Sequence, residues 1–421
     1  MAPEPRVYWF TEEAPPDTGG TGLVAAVIAE GLVRAGVPTD LIARQTRPPR
    51  PPLEWYGPVR VRRTRPGGHL KGTGWRALPT LLFYLLRVAF LLCIEWRRYD
   101  IVIVSSMKVI PLVAVPLCRL LGKRCIVRIE SPAELTEPIA SESLAGPGRL
   151  VGRPLAALLG RVQRFLLHSA DRVIAISGDL EMRLGRAGCA RARLARIPNP
   201  VALDRFRPVG EPERSRLRAQ LDMPAERLVA LYAGRLSRAK GILRLLDVWS
   251  EIVRRHPGLL LVIVGSGRGS FDDCEAEARA LVRERDLEAS VRLAGPSERV
   301  HEYMQAADLY LCPSEYEGFG LARVEALACG LPAVLSAVGI APEIVVSGSN
   351  GFLCAPADER SLVEAVSACV RARSRWPEVG ERARAAVAEF ALERVVGRYV
   401  ELCRDLTHPA QTATAARIAR P

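Results

Sequence analysis

Lysine is nearly missing from this chain: Lys71, Lys108, Lys123 and Lys240 stand against 55 arginines in 421 residues. Aromatic residues make up only 6%, and there are five histidines. So thin an aromatic content, with no RNA- or DNA-reading motif among the arginines, argues against a nucleic-acid reader despite a net charge of +13. The ten cysteines include no C-x-x-C pair and no zinc spacing. Most lie in apolar runs, as Cys125, Cys312 and Cys354 do, which suits small buried hydrophobes in a reducing compartment. No Asp-x-Asp and no His/Cys cluster suggests a metal, and no G-x-G-x-x-G loop suggests a dinucleotide. The first residues, MAPEPRVYWF, lack a signal peptide's basic start and apolar core, so a cytoplasmic protein is expected. Long hydrophobic runs are absent but for Ala77–Ile94, which carries Pro79 and Arg87 and is followed six residues later by a strand-like run, DIVIVSS. A buried or membrane-surface helix fits it better than a membrane span.

What is present fits a large α/β protein. With 49% hydrophobic residues and this length, two or three domains with substantial cores are expected, at roughly 100–200 residues each. Short β-branched runs alternate with helical patterns throughout, the sign of parallel sheets. Strands are expected at Arg6–Thr11, Thr39–Ala43, Val59–Arg63, Ile101–Ser105, Arg124–Ile129 and Arg172–Ser177. After a Pro-bearing linker (196–210), others are expected at Leu228–Ala233, Leu259–Val264, Val291–Ala294, Leu309–Cys312 and Ala333–Leu335. Helical pattern runs over Glu381–Leu406. The resulting division is a domain over 1–200, a second over 201–390, a helix over 391–406 and a disordered tail over 407–421. Two such Rossmann-like domains imply a ligand crevice between them. The entire charge excess lies in residues 1–200, with 29 basic against 16 acidic residues, and Arg44–Arg76 holds nine basic residues and only Glu54 as an acid. Either a solvated arginine-rich face or a surface for an anionic partner accounts for it.

Three loops could carry chemistry. Gly234–Gly241 (GRLSRAKG) follows an apolar strand and precedes a helix, where backbone N–H groups can receive a phosphate. Arg235 and Lys240 would add two cations there. Lys240 is the only lysine after Lys123, which suggests a need for a compact ammonium. A plain strand-to-helix turn with solvated charges has the same spacing. Pro313–Pro332 (PSEYEGFGLARVEALACGLP) puts Glu317 on a glycine-bearing loop and Glu325 within an apolar helix. Carboxylates there suit sugar hydroxyls, because each can accept two directed hydrogen bonds. Gly19 and Gly20, in PPDTGGTG before the first helix, are a weaker signal of close approach to a phosphate or sugar.

Together these loops resemble the nucleotide-sugar glycosyltransferases of family four, retaining enzymes of the GT-B fold. AGRLSRAKG, VIVGSGRG, the E-x7-E loop and IAPEIVVSGSNGFLCAPAD carry the resemblance over residues 228–356, and ADRVIAISGDL with RIPNPVALDRFRP extends it over 170–208. The resemblance implies that Arg235 and Lys240 hold the donor diphosphate, Glu325 the ribose, and that Glu317 lies at the transferred sugar, making Arg235, Lys240 and Glu317 the catalytic set. It further implies donor contacts at Gly19, Gly20, Gly234, Gly265, Phe319, Gly320 and Leu321, two facing domains, and a C-terminal helix crossing back to the first. Many relatives carry a histidine after the strand matching Arg124–Ile129; here Glu130 stands instead and becomes a candidate sugar contact. Transfer would proceed without metal or cofactor, from a UDP- or GDP-linked sugar to a glycan, a lipid-linked molecule or another acceptor. With a lipid-borne acceptor, Arg44–Arg76 and Ala77–Ile94 would meet an anionic membrane surface. A sugar-nucleotide epimerase on the same fold is the alternative, which the E-x7-E pattern disfavours.

Overall fold

The computed structural model describes residues 3–16, 20–45, 50–65, 78–106, 109–136, 152–268 and 272–408. Gly19, parts of Arg44–Arg76 and nearly all of the expected tail lie outside these. The chain divides into two compact units, one comprising residues up to Pro200 together with those from Leu392 onward, the other Val201–Ala391.

The first unit is built on an eight-stranded sheet of order β3-β4-β2-β1-β5-β6-β7-β8. In chain order these are β1 (Val7–Thr11), β2 (Thr39–Arg44), β3 (Leu53–Tyr56), β4 (Val59–Thr64), β5 (Ile101–Ser105), β6 (Arg124–Ile129), β7 (Arg172–Ala175) and β8 (Leu194–Arg196). All neighbours pair in parallel except the β3–β4 hairpin. VYWFT and IVIVS in β1 and β5 are buried at every position, as strands covered on both faces must be. The chain leaves β1 toward β2 in one direction and β4 toward β5, β6 and β7 in the other. Right-handed crossovers therefore place Gly20–Arg34 on one face and the helices Leu78–Ile94, Pro111–Leu120 and Gly152–Ser169 on the other. The helix Leu392–Thr407 packs on Gly20–Arg34, so closely that a Cβ on Gly31 would lie 2.3 Å from Val396 Cγ2. The Tyr399 ring packs tilted against Trp9, with centroids 5.4 Å apart, and Arg404 pairs with Glu4 at 2.6 Å.

The second unit has a six-stranded parallel sheet of order β11-β10-β9-β12-β13-β14. Its strands are β9 (Leu228–Ala233), β10 (Leu259–Val264), β11 (Val291–Gly295), β12 (Leu309–Cys312), β13 (Ala333–Ser336) and β14 (Phe352–Cys354). The helices Ile242–Arg255 and Glu359–Arg371 turn Leu245, Trp249, Ile252, Leu362 and Val366 onto one face of this sheet to form its core.

Three short edge strands, β3, β8 and β14, go beyond the strands expected from sequence. Each is only three or four residues long and takes its strand character from a neighbour. The helical pattern over 381–406 is not one helix. It breaks between Trp376–Ala386 and Leu392–Thr407, because Ala391 is extended and the Phe390 carbonyl accepts from Val201 N at 2.8 Å. That tertiary bond competes with helix continuation and wins locally. Part of the expected basic stretch is engaged within the unit. Arg60 pairs with Asp40, Arg62 with Glu95 at 2.8 Å and Arg63, wholly buried, with Glu54 at 2.9 Å. These cations brace the sheet edge and are not free for an outside partner. Among the described residues no helix is long and apolar enough to cross a membrane.

Candidate functional site

In the second unit the chemistry-bearing residues converge at the carboxyl ends of β9, β10, β12 and β13, where open parallel sheets bind ligands. β9 delivers Gly234 and Arg235. The buried phenols of Tyr232 and Tyr310 hold this exit by donating to the Arg235 and Ala233 carbonyls at 2.8 and 3.1 Å. Gly265, at the end of β10, has φ 147°, and a Cβ there would come within 1.8 Å of the Gly234 carbonyl oxygen. The two loops can lie together only because Gly265 carries no side chain at that contact. Gly241, with φ 70°, caps the helix Ile242–Arg255, and a Cβ on it would meet the Pro313 carbonyl oxygen at 2.1 Å. A hydrogen bond from Glu315 N to the Ala239 carbonyl (2.8 Å) joins the same two segments.

This close docking brings Lys240 to Glu317. The ammonium donates to Glu317 Oε1 at 2.7 Å, and Ser314 Oγ donates to the same oxygen at 3.0 Å. Burial pushes the Glu317 carboxyl up, but Lys240 and Arg323, with the two hydrogen bonds, hold it below its ordinary value. Lys240 therefore keeps two N–H donors and Glu317 keeps Oε2 for a ligand. The exposed Arg235 guanidinium has no side-chain partner among the described residues.

Glu325 sits on the helix Leu321–Ala328, whose N-cap Gly320 is left-handed with φ 94°. Its carboxyl is partly buried, makes no hydrogen bond or ion pair with the described residues, and is pushed up by burial to about 7, with Arg205 opposing the shift. An acid left unpaired in such a place lacks the partner that burial demands. Phe319 is buried against Phe390, with ring centroids 5.6 Å apart, while the N-terminal amides of the helix begin at Leu321.

No role for Arg323 was expected from sequence, yet this fully buried guanidinium organises the site. It donates to Ser336 O (3.0 Å), Val338 O (2.7 Å), Ser336 Oγ (3.0 Å) and Cys312 Sγ (3.3 Å), tying the ends of β12 and β13 together beneath Glu317. The available signal was an arginine among Leu321, Ala322, Val324 and Ala326 in a helix otherwise read as apolar.

Gly20 and Glu130 belong to the first unit. Gly20 is the first residue of the helix Gly20–Arg34, and Glu130 follows β6. The Glu130 carboxylate is engaged by the buried Arg128, whose other terminal nitrogen donates to Asn199 Oδ1. Any ligand using Glu130 meets a carboxylate already oriented and neutralised from below.

The family profile described as "Glycosyl transferases group 1" matches residues 213–386, and that of the "Glycosyl transferase 4-like domain" matches 19–200. A D-inositol 3-phosphate glycosyltransferase of Kineococcus radiotolerans is 30% identical over 77% of this chain and 74% of its own length. That of Geodermatophilus obscurus is 26% identical over 96% and 90%. Among solved structures, sucrose-phosphate synthase of Thermosynechococcus elongatus superimposes with a TM-score of 0.78 at 25% identity, covering 97% of this chain and 100% of that one. Anabaena HepE in complex with UDP-glucose superimposes with 0.72 at 21%, covering 95% and 99%, a likeness of fold alone.

Proposed function

The chain belongs to the group 1 glycosyl transferases of family four and has their GT-B fold, and from this premise we propose a retaining, metal-independent hexosyl transfer from a UDP- or GDP-linked sugar to an acceptor hydroxyl. The observation that carries the reading is a Lys240–Glu317 pair with donors and an acceptor to spare, on loops that meet backbone to backbone, together with Arg235 and the helix-borne Glu325, whose charged groups have no side-chain partner among the described residues. Arg235 and Lys240 face the diphosphate, Glu325 the ribose and Glu317 the sugar hydroxyls, with backbone contacts from Gly234, Gly265, Phe319, Gly320 and Leu321. Gly19, Gly20 and Glu130 serve from the first unit.

The anomeric C–O bond breaks with its electron pair passing to the diphosphate, leaving positive charge on the ring. The acceptor oxygen adds to the anomeric carbon on the same face, and its proton passes to the departing phosphate oxygen. No protein base is then needed. Cations fixed in place before the reaction stabilise the leaving diphosphate more than reorganising solvent would. No metal or cofactor is needed in this scheme. The acceptor is a glycan or lipid-linked hydroxyl of cell-envelope polysaccharide or glycoconjugate synthesis, reached by a cytoplasmic enzyme at the membrane's inner face.

The test is release of UDP or GDP from a panel of sugar nucleotides, with and without acceptors that include D-inositol 3-phosphate and lipid-linked glycans. Product stereochemistry is read by NMR, and each assay is repeated with a chelator. Nucleotide release that requires acceptor, gives the donor's anomeric configuration and survives chelation is expected. Inversion, or activity abolished by the chelator, would remove the corresponding part of the reading.

A further inference from the structure

The helix Leu78–Ile94 is apolar around nearly its whole circumference, with Arg87 its one charged residue, yet only one side is covered. Tyr84, Val88 and Leu92 are buried against the first unit. The opposite stripe exposes Leu82 (59%), Phe83 (50%), Leu86 (58%), Phe90 (63%) and Ile94 (64%), with Pro79 and Cys93 on the same side. An all-round apolar helix is expected to be buried, so a stripe about 18 Å long lacks its partner.

Charge points to what that partner is. Pro111–Leu120 packs between this helix and Gly152–Ser169, making one layer of three helices. Their sequences contain no aspartate or glutamate. Arg87, Arg119, Arg161 and Arg164 are exposed on them and pair with no carboxylate among the described residues. Elsewhere in this unit several arginines are held by acids, as Arg6 is by Asp100, Arg124 by Asp171 and Arg183 by Asp179. The carboxylate just past the stripe, Glu95, is taken by Arg62 and Tyr8. The apolar surface continues outward at Leu120 (79% exposed) and Phe165 (62%), beside Arg119 and Arg164.

We infer that this three-helix layer is the surface on which the protein lies against an anionic lipid bilayer. Leu82, Phe83, Leu86, Phe90 and Ile94 enter the headgroup–acyl boundary, and Arg87, Arg119, Arg161 and Arg164 meet lipid phosphates. The helix lies in the interface plane, because its 17 residues are too few to span a hydrocarbon core of about 30 Å. Arg87, at the edge of the stripe, has a stem long enough to reach back to the headgroups. The inference rests on the inner-face placement proposed above and transfers the cationic role from Arg60, Arg62 and Arg63, which are internally paired, to arginines that are free.

The full chain is sedimented with phosphatidylcholine vesicles, with and without phosphatidylglycerol, at low and high salt, while UDP and GDP affinities are measured by calorimetry. Binding should require phosphatidylglycerol and weaken with salt. Leu86→Gln with Phe90→Gln should reduce it at least tenfold. Arg161→Gln with Arg164→Gln should reduce it roughly 30-fold, as expected when two basic residues leave an anionic surface. Neither pair should alter the thermal melt or nucleotide affinity. A wild-type chain that binds nucleotide but stays in the supernatant overturns the surface and spares the transferase. So does a wild-type dimer that the Leu86/Phe90 variant dissociates, which would assign the stripe to a second copy. Vesicle binding unchanged in both variants also overturns it. Failure to bind either nucleotide counts against the transfer reaction alone.

Discussion

At the residue scale, each member of the charged cluster is held differently, and the consequences differ. Lys240→Ala and Arg235→Ala should each lower turnover at least tenfold without unfolding the protein, since one charge-assisted contact to the diphosphate contributes about 1.5–3 kcal/mol. Steady-state kinetics beside a thermal melt checks this. Glu317→Ala should impair transfer more than nucleotide affinity, and calorimetry with the free nucleoside diphosphate separates the two. Glu325 makes a pH-dependent prediction. Its carboxyl is raised to about 7 from the ordinary 4.5, so the native state keeps the proton over a range in which the unfolded chain has lost it. Stability contributed by this residue therefore falls as pH rises from about 4.5 to 7. Ribose hydroxyls donate to the ionised form, so nucleotide affinity should rise over the upper part of the same range. In Glu325→Gln both slopes should flatten, which distinguishes this carboxyl from the titration of the diphosphate itself. Arg323→Leu should cost about 3 kcal/mol or more in urea denaturation, because it strands the Ser336 and Val338 carbonyls in the interior.

At the scale of elements, the site depends on two glycine contacts as much as on charges. Gly241→Ala forces a left-handed residue to carry a Cβ directed at the Pro313 carbonyl. The loop bearing Glu317 must then retreat, and nucleotide affinity and turnover should both fall although no charge has been removed. Calorimetry and kinetics on this variant test the point. The sequence marked Gly241 as a turn but not as a point of contact, since nothing local indicates that residue 313 lies across from it. The same reasoning covers the helix break before Leu392. Local pattern favours continuation, and the pairing of Val201 with Phe390 and Ala391 opposes it.

At the scale of the molecule, each unit has its own sheet and core. Residues 201–391 expressed alone should fold and bind a nucleoside diphosphate, as calorimetry would show. The first unit depends on chain from both ends. A protein ending at Ala391 loses Val396 from Gly31 and Tyr399 from Trp9, and its first unit should melt at a markedly lower temperature or without cooperativity.

The sequence by itself determined the α/β class, most strands to within a residue or two, and the family, because strand periodicity and the spacing of Gly234, Lys240, Glu317 and Glu325 are local properties. Tertiary structure alone decided what those residues meet. Pairing of Lys240 with Glu317, the bonds of the buried Arg323 to Ser336 and Val338, the hold of Arg128 on Asn199 and the internal pairing of Arg60, Arg62 and Arg63 all join residues by geometry rather than by neighbourhood in the chain. Charge composition counts cations but does not show which are already neutralised. Only folding sorts the arginines that brace a sheet from those left facing outward.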